Sequence, residues 1–416
     1  MKMAVKQSST PPNGLAARAS GFADLLPGAA RQRRTLEDRM LGTFMSWGYE
    51  LVETPAVELL STLQLGVEPE RVRRLFKFSD GDGRMLAMVG ERTVPVARIA
   101  AGQLRQAPLP LRLCYLGPTF EGHPAPGSGR QSFQAGAELI GAHSAAADAE
   151  VVAMAIIALE AAGLGEFQVE VGHVGFFGGL IAGLGPAQRS RVLDALVGRD
   201  LVELEKALAE SDLRAAEQEL LLRFPALRGD PEILGAAVAL VDNPVSEQAV
   251  RELHDVHDLL IAHGVSARVN LDLGAVRDFD YYTGIIFEVF SPGLGAPLAA
   301  GGRYDGLLER FGQARAATGV VVFLDRVQSV LDTSSRIAPP DLVLVGFESE
   351  AAAAVQLAAG LRYAGSAVIM EVTPTGEAEL RRRAAEVGAA RVVLCAGEQR
   401  WLLEADGRRR PFELAP

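Results

Sequence analysis

Two strand-like runs, Arg112-Leu-Cys-Tyr-Leu-Gly-Pro-Thr-Phe-Glu121 and Arg130-Gln-Ser-Phe-Gln-Ala-Gly-Ala-Glu138, flank a Gly/Pro/Ser-rich loop at 122–129. Runs joined by so short a loop pair with each other as a hairpin, which commits this part of the chain to an antiparallel or mixed sheet. In the second run Gln134, Gly136 and Glu138 recur at period two, so they share one face, and the glycine leaves space between two polar heads. That arrangement suits an ammonium or imidazole ligand. The plainer alternative is a hairpin with a solvated polar face.

Around this hairpin, Leu36, Met40, Leu41, Phe44 and Trp47 recur at helical spacing and predict an amphipathic helix over 28–47, ended by Gly48. Short apolar bursts at 49–54, 112–116, 268–273, 283–290 and 319–324 read as strands, and 93–104 and 145–162 as helices. The expected fold class is α+β, an antiparallel sheet flanked by helices. Residues 173–264 change to Ala/Leu/Glu-rich helical text, a helical insertion in a core spanning 20–335. After a Pro-rich linker, 341–416 alternates strand and helix as a small α/β domain. Residues 1–19 are polar, aperiodic and expected to be disordered.

Composition excludes several roles. With 416 residues the chain is long enough for two or three domains. Its 41 Lys and Arg against 52 Asp and Glu give a net charge of −11, which argues against a generic phosphate-backbone binder. Cys114 and Cys395 stand alone, and His254 and His257 lack a third ligand nearby, so neither a disulfide framework nor a metal site is expected. The longest apolar runs, 151–159 and 319–324, fall far short of the roughly 20 residues that span a bilayer. Lys2 and Lys6 lead into polar text without an apolar signal core, so a cytoplasmic location is expected.

Two further segments carry chemistry. Arg277-Asp-Phe-Asp-Tyr-Tyr-Thr-Gly284 offers a guanidinium for a carboxylate and phenols to orient it, or a structural ion-pair cluster at a strand start. Ala300-Gly-Gly-Arg-Tyr-Asp-Gly306 has paired glycines that permit close approach to a ligand or a tight strand-to-helix turn.

Taken in order with Gly21-Phe-Ala-Asp-Leu-Leu-Pro27, Trp47-Gly-Tyr-Glu-Leu-Val-Glu-Thr-Pro55 and Gly319-Val-Val-Val-Phe-Leu-Asp-Arg326, these segments resemble the class II histidyl-tRNA synthetase family over about residues 20–335. The pattern is closest to that family's non-synthetase branch, the regulatory subunits of ATP phosphoribosyltransferase. The resemblance implies a class II synthetase-like core and a tail similar to a degenerate anticodon-binding domain. It also implies a histidine pocket made of Glu91, Thr93, Gln134, Glu138, Arg277, Tyr281, Tyr282 and Tyr304. Carboxylates would take the ammonium, Arg277 the carboxylate, and the tyrosines and Gln134 the imidazole.

The nucleotide side departs from the synthetase pattern. Glu121 stands where the family places the arginine for the ATP α-phosphate, although Arg326 matches the second arginine. A unit charge reversed about 4 Å from a phosphate acts with roughly 1 kcal/mol in water and about 4 kcal/mol at an effective dielectric of 20. The synthetases read Arg-Pro ahead of the loop glutamate, whereas this chain has Val89-Gly90 before Glu91. Residues 341–416 contain no lysine, and nine arginines stand against eleven acids, too little positive charge to grip an anticodon stem.

The expectation is therefore a non-catalytic regulatory subunit with a vestigial ATP site and no cofactor. Its implied partner is a short-form ATP phosphoribosyltransferase catalytic subunit, and its implied effector is histidine, in the first step of histidine biosynthesis. A homodimer within a hetero-oligomer is implied as well. The competing readings are an active histidyl-tRNA synthetase with an atypical hairpin motif, and a tRNA-binding module, which the charge disfavours.

Overall fold

The computed structural model describes residues 18–124, 129–198, 200–224, 227–229, 232–275, 281–331 and 341–413. The disorder expected at the N-terminus falls on residues 1–19, of which 1–17 lie outside that set. The chain divides into two compact units, residues 1–335 and 336–416.

In the first unit the strands are β1 (Glu50–Leu51), β2 (Val57–Leu59), β3 (Lys77–Ser79), β4 (Met85–Met88), β5 (Leu111–Phe120), β6 (Gln131–Ile140), β7 (Gln168–His173), β8 (Arg228–Gly229), β9 (Val269–Asp272), β10 (Ile285–Phe290), β11 (Ala299–Arg303) and β12 (Ala317–Phe323). The helices are α1 (Pro27–Ser46), α2 (Leu60–Leu63), α3 (Pro69–Arg74), α4 (Thr93–Ala101), α5 (Ala145–Ala161), α6 (Val174–Leu180), α7 (Pro186–Val197), α8 (Leu201–Ala209), α9 (Ala215–Arg223), α10 (Glu232–Leu240), α11 (Pro244–Ala262) and α12 (Leu324–Val330). Nine strands form one sheet in the order β1-β5-β6-β12-β11-β10-β7-β9-β8, and β2-β4-β3 form a small second sheet. Pairing in the large sheet is antiparallel except β1 with β5 and β7 with β9.

The two faces of this sheet do different things. Ala135, Ala137, Val320, Val322, Ala299 and Phe287 join the main apolar core with Leu36, Met40 and Phe44 of α1 and most of α5. Alanine dominates α5, so the helix lies close on the sheet and is buried nearly all round. The opposite face carries Gln134, Gly136 and Glu138 on β6, in register with Phe323, Val321 and Gly319 on β12. The solvated-face alternative for the hairpin does not hold, since Gln134 is 5% and Glu138 2% exposed.

Other expectations shift at their edges. The strand read at 49–54 shortens to β1, because the chain leaves the sheet toward Pro55, which has no N–H to give. The helix read at 93–104 ends at Ala101 before Gly102. The paired glycines 301 and 302 form no turn: they lie inside β11, where a Cβ on Gly301 would stand 2.3 Å from the Gly319 carbonyl oxygen. The insertion is helical, α6 to α11, apart from β8, which adds to the edge of the large sheet. The small sheet and β7 are additions to the sequence reading. The Asp82-Gly83 turn and the Val169/Val171 alternation were their signals.

The second unit places a five-stranded sheet, in the order β14 (Ala367–Met370), β13 (Leu342–Phe347), β15 (Arg391–Ala396), β16 (Gln399–Leu403), β17 (Arg409–Pro411), between α13 (Ala351–Tyr363) and α14 (Glu377–Val387). One face packs Val343, Val345 and Val393 on Leu357 of α13, and the other packs Leu344 and Leu394 on Leu380 of α14. Among the described residues no helix is long and apolar enough to cross a membrane.

Candidate functional site

The polar face of the large sheet floors a cavity of about 300 Å³. Glu138 lies at its deep end. The Tyr304 hydroxyl donates to Glu138 Oε2, while Glu138 Oε1 and the neighbouring Gln134 Oε1 are buried without a hydrogen-bond partner. Burial, reinforced by the nearby Glu91 charge and only partly offset by the hydroxyls of Tyr304, Thr93 and Tyr115, pushes the Glu138 carboxyl up to about 8. A buried carboxyl without a cation stays neutral until a ligand brings one.

Backbone geometry makes room for this carboxyl. Gly319 faces Glu138 across the β6–β12 ladder, and a Cβ there would stand 1.7 Å from Glu138 Oε2. Gly136 makes similar room for Tyr115, whose ring carbon Cζ would lie 2.2 Å from a Cβ at that position. The space that this glycine was expected to leave between two polar heads is taken by the tyrosine of the adjacent strand.

Tyr304 enters the cavity because the residues on either side of it are tied down. Arg303, 3% exposed, donates from Nε to Asp148 Oδ2 of α5 at 3.0 Å, and its Nη2 lies 2.9 Å from Oδ1. Asp305 Oδ1 accepts from the Ala317 backbone N–H at 2.9 Å. The Tyr281 ring stacks on Tyr304 at a centroid distance of 5.4 Å, and Tyr282 meets Tyr281 edge-on at 5.0 Å. Burial first, and then the Glu91 and Glu138 carboxylates, raise the Tyr281 hydroxyl well above its ordinary value.

Nearer the mouth, Glu91 and Thr93 open α4. Glu91 Oε1 accepts from the Val94 N–H at 3.1 Å, and burial raises its carboxyl while Arg71 lowers it. Between them Arg92 is 3% exposed and donates to the Thr54 hydroxyl at 2.8 Å and the Pro118 carbonyl at 2.8 Å. Its guanidinium fills the space over Gly117, so it braces the loop that presents Glu91 and Thr93.

The other end of the cavity holds Arg326. Its Nη1 donates to the Pro297 carbonyl at 2.7 Å, and its guanidinium lies 4.1 Å from the centre of the Phe323 ring. Burial lowers its pKa, while the carboxylates of Glu288, Asp325 and Glu121 act in the opposite direction. Asp325 is held in turn by Arg33 of α1 at 2.5 Å and by the Phe133 N–H at 2.6 Å. Arg130, at the far side of the hairpin loop from Glu121, packs under Gly21 with its guanidinium 6.0 Å from the centre of the Phe76 ring.

The cavity brings together Glu91, Thr93, Gln134, Glu138, Tyr281, Tyr282, Tyr304 and Arg326. Arg277 lies outside the described residues. Glu121 reaches the cavity only through its charge on Arg326. The sequence reading missed Glu68, Arg71 and Glu288, which also line it. Glu288 had a signal, a lone charge in the apolar run Ile285-Ile-Phe-Glu-Val-Phe290, whereas Arg71 looks like any surface arginine. Three histidines singled out by the helical text of the insertion lie outside the cavity lining. His173 accepts the Gly175 N–H at 2.9 Å and meets Glu252 at 2.8 Å, His257 is buried, and His254 is exposed beside Asp258.

Residues 21–327 match the histidyl-tRNA synthetase family. A curated ATP phosphoribosyltransferase regulatory subunit of Moorella thermoacetica is 40% identical over 378 residues, 89% of this chain and 95% of that protein. A solved structure of an ATP phosphoribosyltransferase regulatory subunit/histidyl-tRNA synthetase from Bacillus halodurans C aligns with a TM-score of 0.81 at 30% identity, covering 92% of this chain and 99% of that one. The histidyl-tRNA synthetase of Nostoc sp. PCC 7120 shares the fold, with a TM-score of 0.80 at 22% identity over 95% of this chain and 96% of that one.

Proposed function

This chain belongs to the histidyl-tRNA synthetase-like family of ATP phosphoribosyltransferase regulatory subunits, and on that premise we propose that it is a non-catalytic subunit that a short-form catalytic partner requires for activity, with histidine as its inhibitory effector. One observation carries this reading. The amino-acid end of the cavity keeps two buried acceptors without a hydrogen-bond partner, Glu138 Oε1 and Gln134 Oε1, while at the nucleotide end the charge of Arg326 is answered by Glu288, Asp325 and Glu121. Such a site can hold an amino acid without activating it.

In this reading the imidazole reaches the Glu138, Gln134 and Tyr304 end and the ammonium meets Glu91. Arg277 takes the carboxylate, as the family resemblance assigns it. Histidine inhibits by binding one arrangement of the complex more tightly than another, and a typical coupling of about 1–3 kcal/mol corresponds to roughly 5–150-fold. Most arginines of the second unit are matched by acids, which supports a role without tRNA: Arg409 and Arg381 meet Glu377 at 2.6 and 2.7 Å, and Arg408 meets Asp406 at 2.5 Å.

The test is phosphoribosyl-ATP formation by the short catalytic subunit from the same organism, with and without this chain, across a histidine titration. Activity that appears only with this chain and falls with histidine is the expected result. No effect from a folded chain, or histidine-dependent ATP–pyrophosphate exchange by this chain alone, overturns the reading.

A further inference from the structure

Three buried polar atoms follow one another along one face of β6 with no hydrogen-bond partner among the described residues: Gln134 Oε1, the Tyr115 hydroxyl and Glu138 Oε1. Gln134 and Glu138 lie two positions to either side of Gly136, and Tyr115 of β5 is the residue in register with that glycine. A Cβ on Gly136 would stand 2.3 Å from the Tyr115 hydroxyl oxygen, so the phenol ends over the glycine, between the two polar heads. All three side chains are at most 5% exposed. Tyr115 is absent from the described lining and stands behind it.

A buried hydroxyl without a partner is costly, and phenylalanine would fill the same space without that cost. The state of Glu138 gives the hydroxyl a use. The groups that act on the Glu138 carboxyl are Tyr304, Thr93, Glu91 and Tyr115, hydroxyls and a further acid, so burial favours its protonated form. Tyr115 has a cation on its own far side. The Arg92 guanidinium fills the space over Gly117, two positions along β5 on the same face, which polarises the phenol as a donor.

We infer that Tyr115 is a positioning residue for the charged form of Glu138: when a basic ring binds, the carboxyl proton passes to a ring nitrogen and the Tyr115 hydroxyl donates to the carboxylate left behind. This rests on the histidine-pocket reading and adds to it a residue that the family resemblance does not assign. The carboxyl O–H bond breaks and a ring N–H bond forms, so an imidazole becomes an imidazolium and no proton is drawn from water. Glu138 Oε2 keeps the Tyr304 hydroxyl, and Oε1 accepts from the ring N–H and from Tyr115. A ring of the same shape that takes no proton leaves Glu138 neutral and gains little from Tyr115. Tyr115 therefore favours basic rings over non-basic ones.

The experiment is calorimetric titration of the full-length chain with L-histidine and with L-triazolylalanine, which has the same head group and a ring that stays unprotonated near neutral pH. Wild-type chain is expected to favour histidine. Y115F should lose about tenfold in histidine affinity, with triazolylalanine changed less than about twofold, while its stability without ligand holds or rises. Equal losses for both ligands would make Tyr115 a purely structural residue and overturn the inference, as would an unchanged histidine affinity. A second measurement uses the wild-type chain alone, at about pH 7 in buffers of different ionisation enthalpy. Histidine binding should draw close to no proton from the buffer, because the ring takes the one that Glu138 already holds. Uptake of nearly a whole proton would show Glu138 ionised before the ligand arrives, which also overturns the inference. A wild-type chain that binds neither ligand overturns the histidine reading itself, a result separate from histidine binding that ignores Tyr115.

Discussion

The two ends of the cavity in the first unit use the same kinds of side chain and differ in how their polar groups are satisfied. At the deep end a neutral carboxyl and a carboxamide face inward with free acceptor oxygens, set in place by Gly319, Gly136 and Tyr304. At the other end Arg326 has a carbonyl, a ring and three carboxylates around it before any ligand arrives. Binding capacity thus depends less on which charged residues line a site than on which remain unsatisfied, since a buried group gains from a ligand only what the protein has not already supplied.

The hardest test of this contrast is Gly319→Ala. Its methyl group has no space beside Glu138 Oε2, and the Ala137 carbonyl oxygen stands 2.8 Å away on the partner strand. The expected outcome is destabilisation of about 1–3 kcal/mol in chemical denaturation, with histidine binding abolished. Retained binding would show that the deep end is less tightly built than described.

Glu138→Gln sharpens the same end with less damage. The side chain keeps its shape, so histidine affinity should fall about tenfold while stability at neutral pH holds or rises. The pH dependence has a definite sign. With the folded carboxyl near 8 and an ordinary value near 4.5, the folded chain holds a proton that the unfolded chain has released between those values. Wild-type stability should therefore decline from about pH 4.5 to about pH 8 through this group, and melting curves of Glu138→Gln should lack that component.

Glu121→Arg probes the other end. Replacing one of the carboxylates facing Arg326 with a cation should strengthen ATP binding by about fivefold or more in a filter or calorimetric assay. Histidine affinity should stay within about twofold. The smallest effect is expected from ending the chain after Ser335. Every residue described around the cavity belongs to the first unit, so histidine titration of the shortened chain should match that of the full chain within about twofold.

Much of this architecture was legible because it is written in short periods. The apolar spacing in 28–47 marks α1, the alternation at 134, 136 and 138 marks β6, and Gly48 marks the end of α1. The site was legible in part for a different reason. Its segments resemble a family motif by motif, so Glu91, Gln134, Glu138 and Tyr304 could be chosen in advance, while Arg71 and Glu68 carry no local pattern and escaped notice. The turn alternative for the glycine pair at 301 and 302 arose because close packing between strands and a tight bend call for the same residue.

By itself the sequence determined the main helices and most core strands of the first unit, which residues on them are polar among apolar neighbours, and that positive charge is missing where a nucleic acid would need it. Only the tertiary structure decided that Gly319 stands over Glu138, that Arg71 and Glu91 line one cavity, and that Glu121 and Asp325 act on Arg326. Local periodicity is set by backbone geometry within a few residues. Cross-strand partners depend on strand order and register, which are fixed only when distant parts of the chain close into one sheet.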